Sequence, residues 1–296
     1  MCSSDLKALS AGIFNHLPPL TCENPFLEYC SLYWGVHAKK ELSDCAKSLA
    51  LQLFREYDGH ISALLYLEHT WHISEHHEEE EDFALYSLWN GLHCASCFGI
   101  VEVVAALVEM GCYDLNEGDC FRCTALSLAA EVGHEEVVKI LLQREEVNPN
   151  KENKFGVTPL LYAAIEGHEG TVKILLGREE VDSDKPDNNG RTPLSHAARG
   201  GYEGIVKILL GREEVNPDKP DDGGKTPLSY AAGARHEGVV KMLLGREGVN
   251  PNKPDNRGWT PLKIAISRGN HGVVELIRSH EAVTHSATQG QRNITS

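Results

Sequence analysis

No run of apolar residues in this 296-residue chain reaches the roughly 18 to 20 that cross a bilayer. Met1 to Ser10 also lacks a basic segment followed by an apolar stretch. Neither a membrane span nor a secretory signal is therefore expected. Basic side chains are scarce, with 28 Lys and Arg against 43 Asp and Glu, a formal charge of −15. Such a charge repels a phosphate backbone, and no concentrated basic patch offsets it, so nucleic acid is not an expected partner. Nine cysteines are too few for a disulfide scaffold and odd in number. Without an export signal they are expected as free thiols in a reducing compartment. The expected location is cytoplasmic, with the nucleus also compatible. At about 100 to 200 residues per domain, the length allows two domains or one elongated array.

An internal repeat favours the array. Thr124, Thr158, Thr192, Thr226 and Thr260 recur every 34 residues, and the last four each open a Thr-Pro-Leu triplet. Leu160, Ala163, Ala164, Gly167, Val172, Leu175 and Leu176 of one copy become Leu194, Ala197, Ala198, Gly201, Val206, Leu209 and Leu210 of the next. Six copies keep the register. In the first, Leu92, Ala95, Gly99 and Leu107 are retained, but Asn90-Gly91 replaces Thr-Pro.

Each copy reads as two short antiparallel helices. Thr158 is placed to cap the first, Pro159 suits a first turn that needs no amide hydrogen, and Leu160, Ala163 and Ala164 form a thin apolar stripe. Gly167 supplies a left-handed helix end, after which Val172, Leu175 and Leu176 face a second helix of about ten residues. The polar run Val181 to Arg191, with Pro186 and Gly190, reads as a projecting hairpin finger. Such a unit cannot bury its apolar face alone, so the copies must stack into a curved solenoid.

The string Asp187-x-x-Gly190-x-Thr192-Pro193-Leu194-x-x-Ala197-Ala198-x-x-Gly201-x-x-x-Ile205-Val206-x-x-Leu209-Leu210 closely resembles the ankyrin repeat. The resemblance covers residues 88–285 and implies an all-α solenoid that recognises another protein, as scaffolds and signalling proteins do. Three departures stand out: a unit of 34 residues rather than 33; Leu161, Ser195, Ser229 or Lys263 where a histidine is common; and Arg235 where other copies have glycine. A left-handed arginine is strained by about 1 to 2 kcal/mol, which predicts local distortion or weaker stacking in the fifth copy.

Upstream, residues 1–22 read as poorly structured and 23–73 as a small helical subdomain. In the latter, Ala46, Leu49, Ala50, Leu53, Phe54 and Tyr57 sit at helical spacing behind Asp44. About 50 residues is marginal for independent stability, so this segment is expected to cap the first copy. Residues 74–87 read as an acidic linker and 286–296 as a flexible tail. Glu28 to Gly35, together with Ser43-Asp44-x-Ala46-x-Ser48-Leu49-Ala50, resembles the connector that precedes ankyrin repeats in fungal NACHT-type signal-transducing ATPases. That resemblance implies the sensor part of a nucleotide-dependent receptor, with a nucleotide-binding receptor domain as a possible partner.

The chemical motifs are weak. Gly223-Gly224-Lys225-Thr226 imitates a phosphate-binding loop, but position 219 is lysine where that loop needs glycine. Cys94-x-x-Cys97 and Cys120-x-x-Cys123 come near zinc-ribbon spacing, which offers a metal or redox alternative. The repeat register, however, puts them on a helix and on the next finger, against convergence to about 2.3 Å on one metal. His69, His72, His76 and His77 beside Glu78 to Asp82 lack the His-Glu-x-x-His order and read as a solvated linker. Asn293-Ile294-Thr295 is a glycosylation sequon in form only. No Gly-x-Ser-x-Gly elbow or paired-acid arrangement appears, so no catalytic residue, metal ligand or cofactor is assigned.

Family resemblance places partner contacts on finger tips and at the ends of first helices. The matching positions are Lys154, Phe155, Asn189, Arg191, Arg199, Lys225, Arg257, Trp259 and Arg268. Exposed aromatics beside arginines have the composition of interface hot spots, which makes Trp259 and Phe155 the expected anchors. Arg191, Arg257 and Arg268 offer charge-assisted bonds to an acidic partner.

Overall fold

The computed structural model describes residues 90–292, with side chains to residue 282. Twelve helices and no strand occur among them, in six pairs. The first pair is α1 (Gly91–Cys97) and α2 (Val101–Met110), the second α3 (Ala125–Val132) and α4 (Glu135–Leu142). The third is α5 (Pro159–Glu166) and α6 (Glu169–Leu175), the fourth α7 (Pro193–Gly200) and α8 (Glu203–Leu210). The fifth is α9 (Pro227–Ala234) and α10 (Glu237–Leu244), the sixth α11 (Pro261–Ser267) and α12 (His271–Arg292). The described chain forms two compact units, one of residues 90–129 with 139–147 and the other of residues 130–138 with 148–292. The segments assigned from sequence to an N-terminal helical cap and an acidic linker, with the histidine cluster, lie outside the described residues.

In the first unit α1 packs on α2. Asn90 does the capping that threonine does elsewhere: its side chain accepts the His93 N–H (3.0 Å), and His93 Nδ1 accepts the Asn90 N–H (3.3 Å). His93 Nε2 then donates to the Glu117 carbonyl at 3.1 Å, so the imidazole is held neutral. Burial lowers its pKa accordingly. The following finger closes as Asp119 Oδ1 accepts the N–H groups of Phe121 and Cys123 (2.8 and 2.7 Å).

That finger carries an irregularity. Arg122 adopts φ 63°, at the position where the later fingers have Gly156, Gly190, Gly224 and Gly258, all with φ between 73° and 79°. A Cβ in this conformation is strained, so Arg122→Gly is expected to raise stability by about 1 kcal/mol, measured by urea titration. A lower midpoint would show that the arginine side chain contributes more than its backbone loses.

In the second unit the first helices α5, α7, α9 and α11 stack in one layer, and the second helices α6, α8, α10 and α12 in another. Ala163, Ala164, Ala197, Ala198, Ala231 and Ala232 are fully buried and let the first helices approach closely. Val172, Leu175, Ile205, Val206, Leu209, Val239, Val240 and Leu243 fill the space behind them. Thr158, Thr192, Thr226 and Thr260 each cap a first helix through the N–H three residues on, with proline in the first turn. Ser195 and Ser229 lie buried against their cap hydroxyls (3.2 Å in both copies), a small polar contact in place of the usual histidine.

Three details differ from expectation. The second helices α6, α8 and α10 have seven or eight residues rather than about ten, because the chain turns after each Leu-Leu pair. Helix α12 continues to Arg292, into the segment expected as a tail, since no proline interrupts it and elongation of a formed helix is easy. Arg235 is left-handed as expected (φ 70°), yet α9 keeps eight residues and Leu228, Ala231 and Ala232 stay buried. The reason is local compensation: Arg235 Nε donates to Asn270 Oδ1 (2.8 Å), whose amide donates to the Ala232 carbonyl (2.6 Å).

Candidate functional site

Fingers four, five and six have the same internal frame. The N–H of Asp187, Asp221 and Asp255 donates to the carbonyl four residues on (2.9 Å in each). One carboxylate oxygen of each aspartate accepts that later residue's N–H: Arg191 (2.9 Å), Lys225 (2.8 Å) and Trp259 (2.8 Å). Neighbouring fingers are joined by Asn188 N–H to the Phe155 carbonyl, Asp222 N–H to Asn189 and Asn256 N–H to Gly223, at 3.0, 3.0 and 2.9 Å. Arg191, Lys225 and Trp259 thereby occupy one register position on successive, hydrogen-bonded fingers.

These three side chains line a concavity of about 540 Å³. Arg199 enters from the end of α7, Ser229, Tyr230, Gly233 and Ala234 from α9, and Ile264, Ser267 and Arg268 from the end of α11; Asp255 and Arg257 complete it. Six of the nine residues expected from sequence are therefore brought together: Arg191, Arg199, Lys225, Arg257, Trp259 and Arg268. Lys154, Phe155 and Asn189 are not among the lining residues. Phe155 is 57% exposed on the third finger, and the carbonyls of all three join the hydrogen bonding between fingers.

Tyr230, which sequence reasoning did not single out, organises one wall. Its hydroxyl donates to Asp221 Oδ2 and accepts from Arg191 Nε at 3.1 Å. The Arg191 guanidinium and the Lys225 ammonium lie 6.0 and 5.8 Å from its ring centre. Burial and the Asp221 carboxylate push its pKa up to about 12, so the phenol stays a neutral donor. The signal was present: residue nine after the finger Asx is Tyr162, His196 and Tyr230 in copies three, four and five. Each bonds back to it, Asn153 Nδ2 to Tyr162 at 2.9 Å and His196 Nε2 to Asp187 Oδ2 at 2.9 Å. Burial keeps the His196 pKa below its ordinary value, and the Asp187 carboxylate opposes that shift.

The site's charges are unevenly paired. Arg191 lies 3.9 Å from Asp221. Among the described residues, no carboxylate lies within 4.0 Å of the guanidinium groups of Arg199, Arg257 or Arg268. Elsewhere in the unit, Lys219 and Lys253 reach back to Asp184 and Asp218 of the preceding copy at 2.9 and 3.0 Å. Trp259 beside the arginines is 43% exposed.

The other motifs fall into structural places. Gly224 turns the fifth finger and Thr226 caps α9, so the Gly-Gly-Lys-Thr string is repeat framework. Cys94 and Cys97 are buried in α1, and Cys120 and Cys123 are buried on the following finger. Among the described residues no three His, Cys, Asp or Glu side chains are grouped to hold a metal ion, and no helix is long and apolar enough to cross a membrane.

Compared with known families, the chain matches the ankyrin-repeat model three times, over residues 56–153, 145–221 and 203–288. The first match starts upstream of residue 88, where the repeats were expected to begin. No curated protein matches the chain. Ankyrin repeats are protein-interaction modules, and their model spans well over half of this sequence with the helix pairs, caps and fingers described above. The chain belongs to the ankyrin-repeat family.

Proposed function

We propose that the protein is a non-catalytic recognition module that binds a partner protein in the concavity of copies four to six. The supporting observation is the exposed Trp259 set among three guanidinium groups that have no carboxylate within 4.0 Å, in a chain of net charge −15. Trp259 supplies apolar area at little conformational cost, and Arg199, Arg257 and Arg268 supply directed charge-assisted bonds. Asn189, Lys154 and Phe155 extend the contact surface along the fingers. A NACHT-type sensor role would rest on residues 28–50, which lie outside both the family match and the described residues.

The test is capture of partners from extract by wild type and by the Trp259→Ala/Arg257→Ala variant, after equal helical circular dichroism is verified. Both side chains lie outside the finger frame, which uses only their backbone groups. The variant is expected to fold normally and lose the partners that wild type retains. Equal recovery by both would remove the concavity as the site.

A further inference from the structure

Resting on that reading, we infer that the concavity takes an extended acidic peptide segment, whose carboxylates meet Arg199, Arg257 and Arg268 while one of its N–H groups is received by Asp255.

Asp255 carries the argument. It lines the concavity and is only 7% exposed. Its Oδ1 accepts the N–H groups of Arg257 and Trp259 (2.9 and 2.8 Å), and no described group lies within hydrogen-bond distance of Oδ2. In the fourth and fifth copies the corresponding oxygen is taken by His196 or by the Tyr230 hydroxyl. In the sixth copy the ninth residue on is Ile264, which has no donor. That oxygen is not sealed from solvent but stands as an open acceptor on the wall of the concavity, where a ligand that brings a donor can occupy it.

The ligand must therefore be negative enough to engage the free guanidinium groups and must also bring a hydrogen-bond donor to an aspartate among them. A peptide bearing Asp or Glu does both, because its backbone supplies an N–H at every residue except proline. A phosphodiester backbone brings charge without a donor, and the chain's net charge of −15 repels it at long range. Ile264 and Trp259 add apolar surface for one uncharged side chain between the acidic ones.

The experiment selects a phage-displayed library of random short peptides on the full-length protein. The best sequence is then synthesised with a fluorescein label and its affinity read by anisotropy. The expected winners hold at least two acidic residues. Their affinity falls about tenfold or more for Arg199→Glu/Arg268→Glu and declines with added salt. Two further variants isolate Asp255. Ile264→Tyr supplies the donor found in the fifth copy and occupies Oδ2, so binding drops about tenfold; Ile264→Phe adds the same bulk without a donor and changes affinity by no more than about threefold. Equal losses in both would refute the role of Asp255. Neutral or basic winners still sensitive to Trp259→Ala would overturn the acidic partner while leaving the binding site in place. Failure to enrich any sequence, or insensitivity to every concavity variant, would overturn both.

Discussion

Leu175→Ala should lower the unfolding free energy by about 2 to 5 kcal/mol, because a fully buried side chain is replaced by a void its surroundings fill only partly. Leu175 ends α6, which packs on α5 of its own copy and on α8 of the next. In a stack where each copy is stabilised chiefly by its neighbours, damage at this position also weakens the interface with the fourth copy. Urea unfolding followed by circular dichroism should show a lower midpoint together with a broader transition. Leu176→Ala, at the helix end and slightly exposed, should fall in the lower part of the same range. A midpoint indistinguishable from wild type would mean that the third copy adds little to the stability of the unit.

The fold was legible because its determinants are local and repeated. Thr158, Thr192, Thr226 and Thr260 each specify a helix start through one side-chain bond, and the alanine pairs that follow specify close packing without reference to distant sequence. Arg235 was legible as a left-handed residue for the same reason, but its consequence was not. The bond that compensates it comes from Asn270, in the next copy, where His168 and His236 sit in their own copies. Arg122 could have been found by aligning the fingers as carefully as the helices, since it falls one repeat before Gly156.

The candidate site was legible only in its outward charges. Arg191, Lys225 and Trp259 follow from finger register. Tyr230 and Asp255 depend on a pairing between a finger and the helix behind it, nine residues away, whose chemistry changes from copy to copy. The absence of that pairing in the sixth copy becomes visible only when copies three, four and five are shown to have it.

Asp221→Ala tests how that pairing holds the wall of the concavity. The carboxylate accepts the Lys225 N–H at 2.8 Å and the Tyr230 hydroxyl, and sets a negative charge 3.9 Å from Arg191. Its removal leaves a finger N–H and a half-buried phenol without their acceptor, and a loss of about 3 kcal/mol is expected by thermal or urea unfolding. Tyr230→Phe removes only the phenol's own bonds and should lose about 1 kcal/mol. The gap between the two measures what Asp221 gives to the finger and to Arg191; equal losses would reduce its role to holding the tyrosine. Binding should move the other way. With Asp221 gone, Arg191 joins Arg199, Arg257 and Arg268 as a guanidinium without an internal counter-charge, so an acidic peptide should bind Asp221→Ala more tightly than wild type at low salt, even as the protein becomes less stable.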